Sequence, residues 1–286
     1  MIRTASDRGF AITLALVAVA LARVTPGALF AQGAQPVALR IAPPVGETMR
    51  MRLDQRVEMS GTTRMQAGDS TATVVTTLLV ISRTFVERRD RDATILLAST
   101  DSVAASSSGA DSQIVATQTR RALQGKRVRL RIAPDGATEV VGGDVAGNAE
   151  LNALFAQMPA TLPDTPVAVG QSWSRVMIAP IGTSGAKEGG KLQATFRLDS
   201  VARNSDLAYV SLAGTLSRPP SSKDGWSTLT TSGSMTGSLI IDRRRGWISD
   251  ARMTYTVRST VTPTSASTAA AMRFRMKVTQ WVRAVP

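Results

Sequence analysis

Histidine and cysteine are both missing from this 286-residue chain. Imidazole bases, thiol nucleophiles, Ser-His triads, disulfides and Cys- or His-ligated metals are therefore excluded at the outset. Any chemistry must come from carboxylates, lysine, tyrosine and hydroxyls. The carboxylates are scattered. Asp90 and Asp92 lie in Glu87-Arg88-Arg89-Asp90-Arg91-Asp92, where every carboxylate has an arginine beside it, and a calcium loop supplies more oxygens than such a pair. Asp242 and Asp250 bracket Arg243-Arg244-Arg245-Gly246 and are expected to pair with it, while Glu139 and Asp144 stand apart. A glycosidase needs two carboxylates at a set separation, and nothing here nominates a pair. Gly-x-Ser-x-Gly, phosphate-loop and dinucleotide fingerprints are absent. The reading is a non-catalytic protein with no cofactor and no metal site.

Binding chemistry is better represented. Lys and Arg number 34 against 21 Asp and Glu, a net charge of +13. Cations recur on the polar side of three alternating segments: Arg50, Arg52 and Arg56; Arg127, Arg129 and Arg131; Arg273, Arg275 and Lys277. If these segments are neighbours they form one basic sheet face, suited to an anionic envelope polymer. Arginine outnumbers lysine 29 to 5 in an alanine-rich chain, so part of the excess is compositional. Polar strand faces also need charge to block edge pairing. Only Phe274 interleaves with these arginines, so the stacking platforms of nucleic-acid binders are missing and no nucleic acid is expected. The other side of the same segments carries Met49, Met51, Met59, Met272 and Met276. Methionine tolerates irregular packing, and an apolar face of this kind is suited to an acyl chain or other hydrophobic ligand.

These side chains need strands to position them. In Met49 to Met59, odd positions are apolar except Gln55 and even positions are mostly charged; Val128 to Ile132 and Met272 to Val278 alternate likewise. Period two sends successive side chains to opposite faces of a sheet. Runs rich in β-branched residues (71–85, 93–100, 208–216, 252–262) lie between Pro134-Asp135-Gly136, Asp224-Gly225 and Arg245-Gly246 turn signals. Together they predict a mainly β fold of antiparallel, curved sheets, half-barrel or sandwich-like. One helix is predicted near 148–158, capped by Asn148, with Leu151, Leu154, Phe155 and Met158 on one face and Pro159 and Pro163 ending it. About 11 residues of helix need a sheet to dock on. Leu154, Phe155 and Met158, with Met51, Met272, Phe274 and Met276, are the candidate ligand-binding residues. Arg50, Arg52, Arg127, Arg129, Arg131, Arg273 and Arg275 are the candidate anionic-partner face.

The N-terminus reads as an export signal. Arg3 and Arg8 precede an apolar run of 12 residues, Ala11 to Ala22, against the about 20 that a membrane span requires. Cleavage is expected after Ala31, with Ala22 as the alternative, leaving a net charge of +11 and no later membrane-spanning segment. The expected location is periplasmic or extracellular. Residues 32–45 read as a linker, 46–146 as a first β half, 147–170 as the helix and a proline-bearing connection, and 171–286 as a second β half. Ala93 to Ser102 matches Ala208 to Ser217 at an offset of 115, which suggests that the halves are similar. Ser106–Asp111, Gly182–Gly190 and Pro263–Ala271 read as small-residue loops.

Leu162-Pro163-Asp164-Thr165-Pro166-Val167-Ala168-Val169-Gly170-Gln171-Ser172-Trp173 resembles the LP-x-x-PV-x-x-G-x-x-W segment of an uncharacterised family of exported bacterial β-rich proteins. The resemblance covers residues 46–285 and implies export and two meanders joined by a short helix, with no catalytic residue. A looser likeness is to half-barrel carriers of lipoproteins and lipids in the bacterial envelope. The segment also has a direct structural reading. Pro163 and Pro166 stiffen the chain, Gly170 permits a turn, and Trp173 anchors the following strand. The leading functional expectation is an envelope protein that binds a lipid or other hydrophobic ligand. The alternatives are a surface protein gripping an anionic polymer and a carboxylate-dependent hydrolase.

Overall fold

A computed structural model of the chain describes residues 35–65, 68–109, 112–144, 161–179, 190–202, 206–221, 227–263 and 271–286. The period-two segments all become strands, and they join one sheet. In chain order these are β1 (Thr48–Met65), β2 (Gly68–Asp90), β3 (Ala93–Ser107), helix α1 (Ser112–Leu123), β4 (Arg127–Ile132), β5 (Thr138–Gly143), β6 (Ser172–Ala179), β7 (Gly190–Val201), β8 (Leu207–Ser221), β9 (Ser227–Asp242), β10 (Trp247–Pro263) and β11 (Met272–Val285). The order across the sheet is β5-β4-β3-β2-β1-β11-β10-β9-β8-β7-β6, and each pairing is antiparallel. Two meanders are thus welded by their first and last strands, β1 to β11. The sheet is open, with β5 and β6 as its edges.

The sheet is also strongly rolled at one end, called here the near end. Ile41 N–H donates to the Pro134 carbonyl in the β4–β5 turn, and its neighbour Ala42 N–H donates to Gly246 in the β9–β10 turn, both at 2.8 Å. In a flat sheet those turns would stand about 24 Å apart, five strand spacings. Adjacent residues reach both only because the sheet curls around them. The curl brings the edges close: Thr161 and Leu162 N–H both donate to Asp135 O, and the Trp173 indole of β6 donates to Thr161 O at 2.8 Å.

Residues 37–43, read from sequence as part of a linker, are a strap across this near end. Val37 bridges Val167, Leu39 is 1% exposed and Ile41 3%. With Leu162 they fill the seam between inward residues such as Leu130 of β4, Phe196 of β7, Val210 of β8 and Ile241 of β9. Burying Leu39 and Ile41 stabilises the fold by about 1.5–3 kcal/mol each. A linker reading fails because the segment alternates too, over only three inward residues.

The predicted helix at 148–158 lies outside the described residues. The helix that is described, α1, was not expected, and the Ser106–Asp111 loop reading gives way in part, since β3 continues to Ser107. α1 buries none of its residues and lies beside β3, where β4 has ended; Gly125 N–H and the Lys126 carbonyl close on Thr100. β3 and β8 hold matching places, each third in its meander. The offset of 115 nevertheless sets inward Leu96 against outward Ser211, whereas 114 pairs Leu96 with Val210 and Ala98 with Leu212, all inward.

Candidate functional site

Register assigns every strand residue to a face. Met49, Met51, Leu53, Gln55, Val57 and Met59 of β1 share the inner face with Met276, Val278 and Val282 of β11 and with Tyr255 and Val257 of β10. Arg50, Arg52, Asp54, Arg56 and Glu58 share the outer face with Arg273, Arg275, Lys277, Trp281 and Arg283. The strands are long, 18 residues in β1 and 17 in β10, so β1 spans roughly 60 Å. The strap fills only the near part of the inner face.

Beyond it, at the far end of β2, β1 and β11, large apolar side chains meet solvent: Met59 is 53% exposed, Val74 38%, Met272 39% and Phe274 42%. They are one patch by register, since Met59 faces Val74 on one side and Met276 on the other, and Phe274 faces Gly61 one step further along. A methyl placed on Gly61 would touch the Phe274 ring at 3.4 Å, so the ring lies over a bare backbone. At roughly 150–200 Å² per large side chain the patch exposes on the order of 300 Å², the size at which exposed apolar surface is commonly functional.

Among the candidate ligand-binding residues, Met272 and Phe274 belong to this patch and Met276 adjoins it, partly buried against the core. Met51 is buried nearer the strap. Leu154, Phe155 and Met158 lie outside the described residues. Met59 and Val74 complete the patch; alternation marked Met59, while Val74 is found only through its register with it.

The outer face divides differently. β1 and β11 are neighbours, so Arg50, Arg52, Arg273 and Arg275 do share a surface. β4 lies three strands from β1, and Arg127, Arg129 and Arg131 form a separate group. Two of that group are neutralised: Arg129 grips Glu87 through two hydrogen bonds of 2.7 and 3.0 Å, and Arg131 reaches Glu139 at 3.1 Å and Asp90 at 3.4 Å. Glu87 is held below its ordinary pKa chiefly by the Arg129 hydrogen bond.

Nearer the strap, Trp281 sits at the centre of a mixed tile. Its indole N–H donates to Asp250 at 2.7 Å, and the Arg283 and Arg252 guanidiniums lie 3.7 and 4.5 Å from its ring centre. Arg52 binds Asp54 through 2.8 and 2.7 Å hydrogen bonds, which lower the Asp54 pKa. The expected pairing of Asp250 with the Arg243–Arg245 turn is not what forms; Asp242 serves that turn, accepting from Arg245 N–H at 2.9 Å, together with Asp206, 3.6 Å from Arg243, and Glu47, 3.8 Å from Arg245. A shallow trough of about 520 Å³ runs from Trp281 across Asp54 and Leu79 to Ala104.

The proline-bearing connection is a corner. Trp173 stacks on Phe196 with centroids 5.6 Å apart, Pro163 is buried, and Pro166 is exposed. Gly170 turns at φ +88 with its N–H on Leu198 O at 2.7 Å. Arg175 clamps Asp164 at 2.9 and 3.2 Å, which lowers that carboxyl's pKa.

Among the described residues no three carboxylates gather to hold a metal ion, and no helix is long and apolar enough to cross a membrane. A β-barrel wall facing lipid needs an outward apolar band about 25 Å tall. The outward residues of β1 and β11 are predominantly charged, so this face is not such a wall.

Compared with known proteins, residues 143–248 match a family of unknown function, DUF6263. That stretch holds the corner, β6 to β9 and the start of β10. No curated protein matches the sequence. Among solved structures, similarity is found to an outer membrane channel from Pseudomonas putida F1, at 10% identity over 85% of this chain and 97% of the channel, TM-score 0.23. A protein with a YmcC-like fold from Bacteroides fragilis is similar at 8% identity over 87% of this chain and 98% of that one, TM-score 0.16. At these scores neither carries an argument about this chain.

Proposed function

We propose that this is a non-catalytic, exported envelope protein that binds a lipid or other hydrophobic ligand on the far part of its inner sheet face. The single observation behind the reading is the exposed patch of Met59, Val74, Met272 and Phe274, continuous with a filled core at the near end. The mechanism is burial of apolar surface. Covering about 300 Å² at ~25 cal/mol per Å² contributes about 7 kcal/mol on the protein side before ordering costs. That places a ligand held by this patch alone in the micromolar range at best. The apolar run Ala11 to Ala22, closed by Arg23 after 12 residues, supports export in the same reading, since it ends too early for a span.

Arginines of the same strands do not orient the ligand. Alternation puts Arg273 and Arg275 on the opposite side of the sheet from Met272, Phe274 and Met276, and the polar group that borders the patch on the inner face is the half-buried Ser259, opposite Phe274 and hydrogen-bonded to the buried Thr231 at 3.0 Å. The test is native mass spectrometry with organic extraction of protein purified from a bacterial periplasm. A co-purifying apolar species near one per chain is expected. A clean unliganded mass under gentle conditions overturns the reading.

A further inference from the structure

The far half of the outer face is left charged in a way the near half is not. There, on β1, β11 and β10, Arg56, Arg258, Arg273, Arg275 and Lys277 stand against one carboxylate, Glu58, while at the β1–β2 end Asp69 is paired by register with Arg64. Arg56 holds Glu58 at 2.7 Å, and the charges of Lys277 and Arg275 act on it as well. Among the residues whose side chains are described, Arg258 and Arg273 have no carboxylate within ion-pair distance, although Arg258 is paired by register directly with Arg275. Like charges directly opposite on neighbouring strands are destabilising, and no acid on β9 relieves them: Thr230, Ser232 and Ser234 are the outward residues alongside. In the near half, by contrast, Arg52, Arg252 and Arg283 are answered by Asp54, Asp250 and the Trp281 ring.

We propose that the far outer face of β1, β11 and β10 is a docking stripe for a linear anionic polysaccharide, contacted by Arg258, Arg273, Arg275 and Lys277. Charge complementarity selects a polyanion. Arg273, Arg275 and Lys277 repeat along β11 about every 6.7 Å, a spacing that suits a chain bearing one charge per sugar or two. The surrounding Thr254, Thr256, Thr260, Ser232 and Ser234 offer hydroxyls to sugar hydroxyls. Nucleic acid is disfavoured because this half carries no free aromatic ring among the described residues: Phe274 is on the other face and the Trp281 ring is covered by two guanidiniums. The stripe is separate from the apolar patch, so the two readings fail independently.

The experiment is titration calorimetry of the full-length exported protein with dextran sulfate, alginate, neutral dextran and a single-stranded oligonucleotide, at 50 and 200 mM NaCl. The expected result is binding to the two anionic polysaccharides only. With about four cations engaged, affinity should fall roughly 50-fold between the two salt concentrations. Arg258→Gln with Arg275→Gln should weaken binding at least tenfold without lowering the melting temperature, since it removes opposed charges. Arg52→Gln with Arg252→Gln, about 14 Å or more from the stripe and so beyond one Debye length at ~0.1 M salt, should change it less than threefold. Phe274→Ser should leave it unchanged. Failure to bind dextran sulfate, equal losses from the two arginine pairs, equal binding of the oligonucleotide, or binding of neutral dextran would each overturn the proposal.

Discussion

Replacing Phe274 by serine tests the apolar patch where its geometry is most explicit. The ring is 42% exposed, so about 80 Å² of an aromatic side chain of roughly 200 Å² is available to a ligand. At ~25 cal/mol per Å², its loss removes about 2 kcal/mol of binding, close to 30-fold in affinity. The same change strips the cover from Gly61, which faces Phe274 across the strand pair. That exposure and the lost half-buried area together cost the fold about 1–2 kcal/mol, or about 2–8 °C in a domain of this size. A fluorescent fatty-acid analogue that brightens in apolar surroundings, titrated into wild type and variant, reads the first quantity; thermal unfolding reads the second. Val285→Ser, outward and at the strap end of the same strand, is the control and should leave analogue affinity alone. Affinity for Phe274→Ser within threefold of wild type, with the protein folded, would refute the assignment of the patch as the binding surface.

Three further outcomes follow from the fold and its charges. Leu39→Ala in the strap should cost about 2–5 kcal/mol, whereas Val45→Ala, 55% exposed a few residues on, should cost under about 0.5 kcal/mol by denaturant unfolding; equal costs would mean that the strap is not core. Gly246→Ala should destabilise the fold strongly in thermal unfolding, because Gly246 adopts φ +60 and an added methyl would sit 2.6 Å from the Ala42 backbone of the strap; a fully stable variant would show that the strap does not cross there. Hydrogen bonds from Arg52 and Arg129 hold Asp54 and Glu87 below their ordinary pKa values of 3.8 and 4.5, so the folded state takes up these protons less readily. The stability they add is complete above those ordinary values and is lost as the pH falls below them. Asp54→Asn with Glu87→Gln should flatten the urea midpoint between about pH 4.5 and pH 3, and an unchanged acid slope would refute the linkage.

How far the sequence could be read depended on how each element is held. Strands β1, β4 and β11 alternate apolar and charged residues because each has one dry and one wet face, and period two was enough to find them. Lys191 to Leu198 of β7 follows the same rule, with Leu192, Ala194, Phe196 and Leu198 all buried. α1 was illegible because Ser112–Leu123 has no apolar stripe and buries nothing; only Gly125 after its last turn marks it. The strap was illegible for a different reason. Three inward residues separated by polar or proline positions are too few to show a period, and what buries them is the roll of a sheet whose strands come from both ends of the chain. Pairing of β1 with β11 joins residues more than 200 apart, which no local pattern encodes, and it alone decides which arginines become neighbours.

That pairing also determines how the two proposed surfaces relate. Met272-Arg273-Phe274-Arg275-Met276-Lys277 looks from sequence like one amphipathic site in which cations steer a head group toward an acyl chain. In a strand the same alternation forbids it, since the Cβ of each residue points away from that of its neighbour across a sheet that separates the two sets. A ligand buried against Phe274 and Met272 is shielded by the β11 backbone from Arg273 and Arg275. Both sets become usable together only if they serve different partners. The near half shows what the same alternation does when nothing is to be bound: inward residues are sealed under Leu39 and Ile41, and outward arginines are closed onto Asp54, Asp250 and Trp281. At the far half neither closure occurs. Apolar side chains stay open on one face and guanidiniums stay opposed on the other, along the same few residues of β1, β10 and β11. An ordinary solvated strand end would need neither the exposed Phe274 nor the unanswered Arg258. Binding on each face, with the two separable by Phe274→Ser on one side and Arg258→Gln with Arg275→Gln on the other, accounts for both.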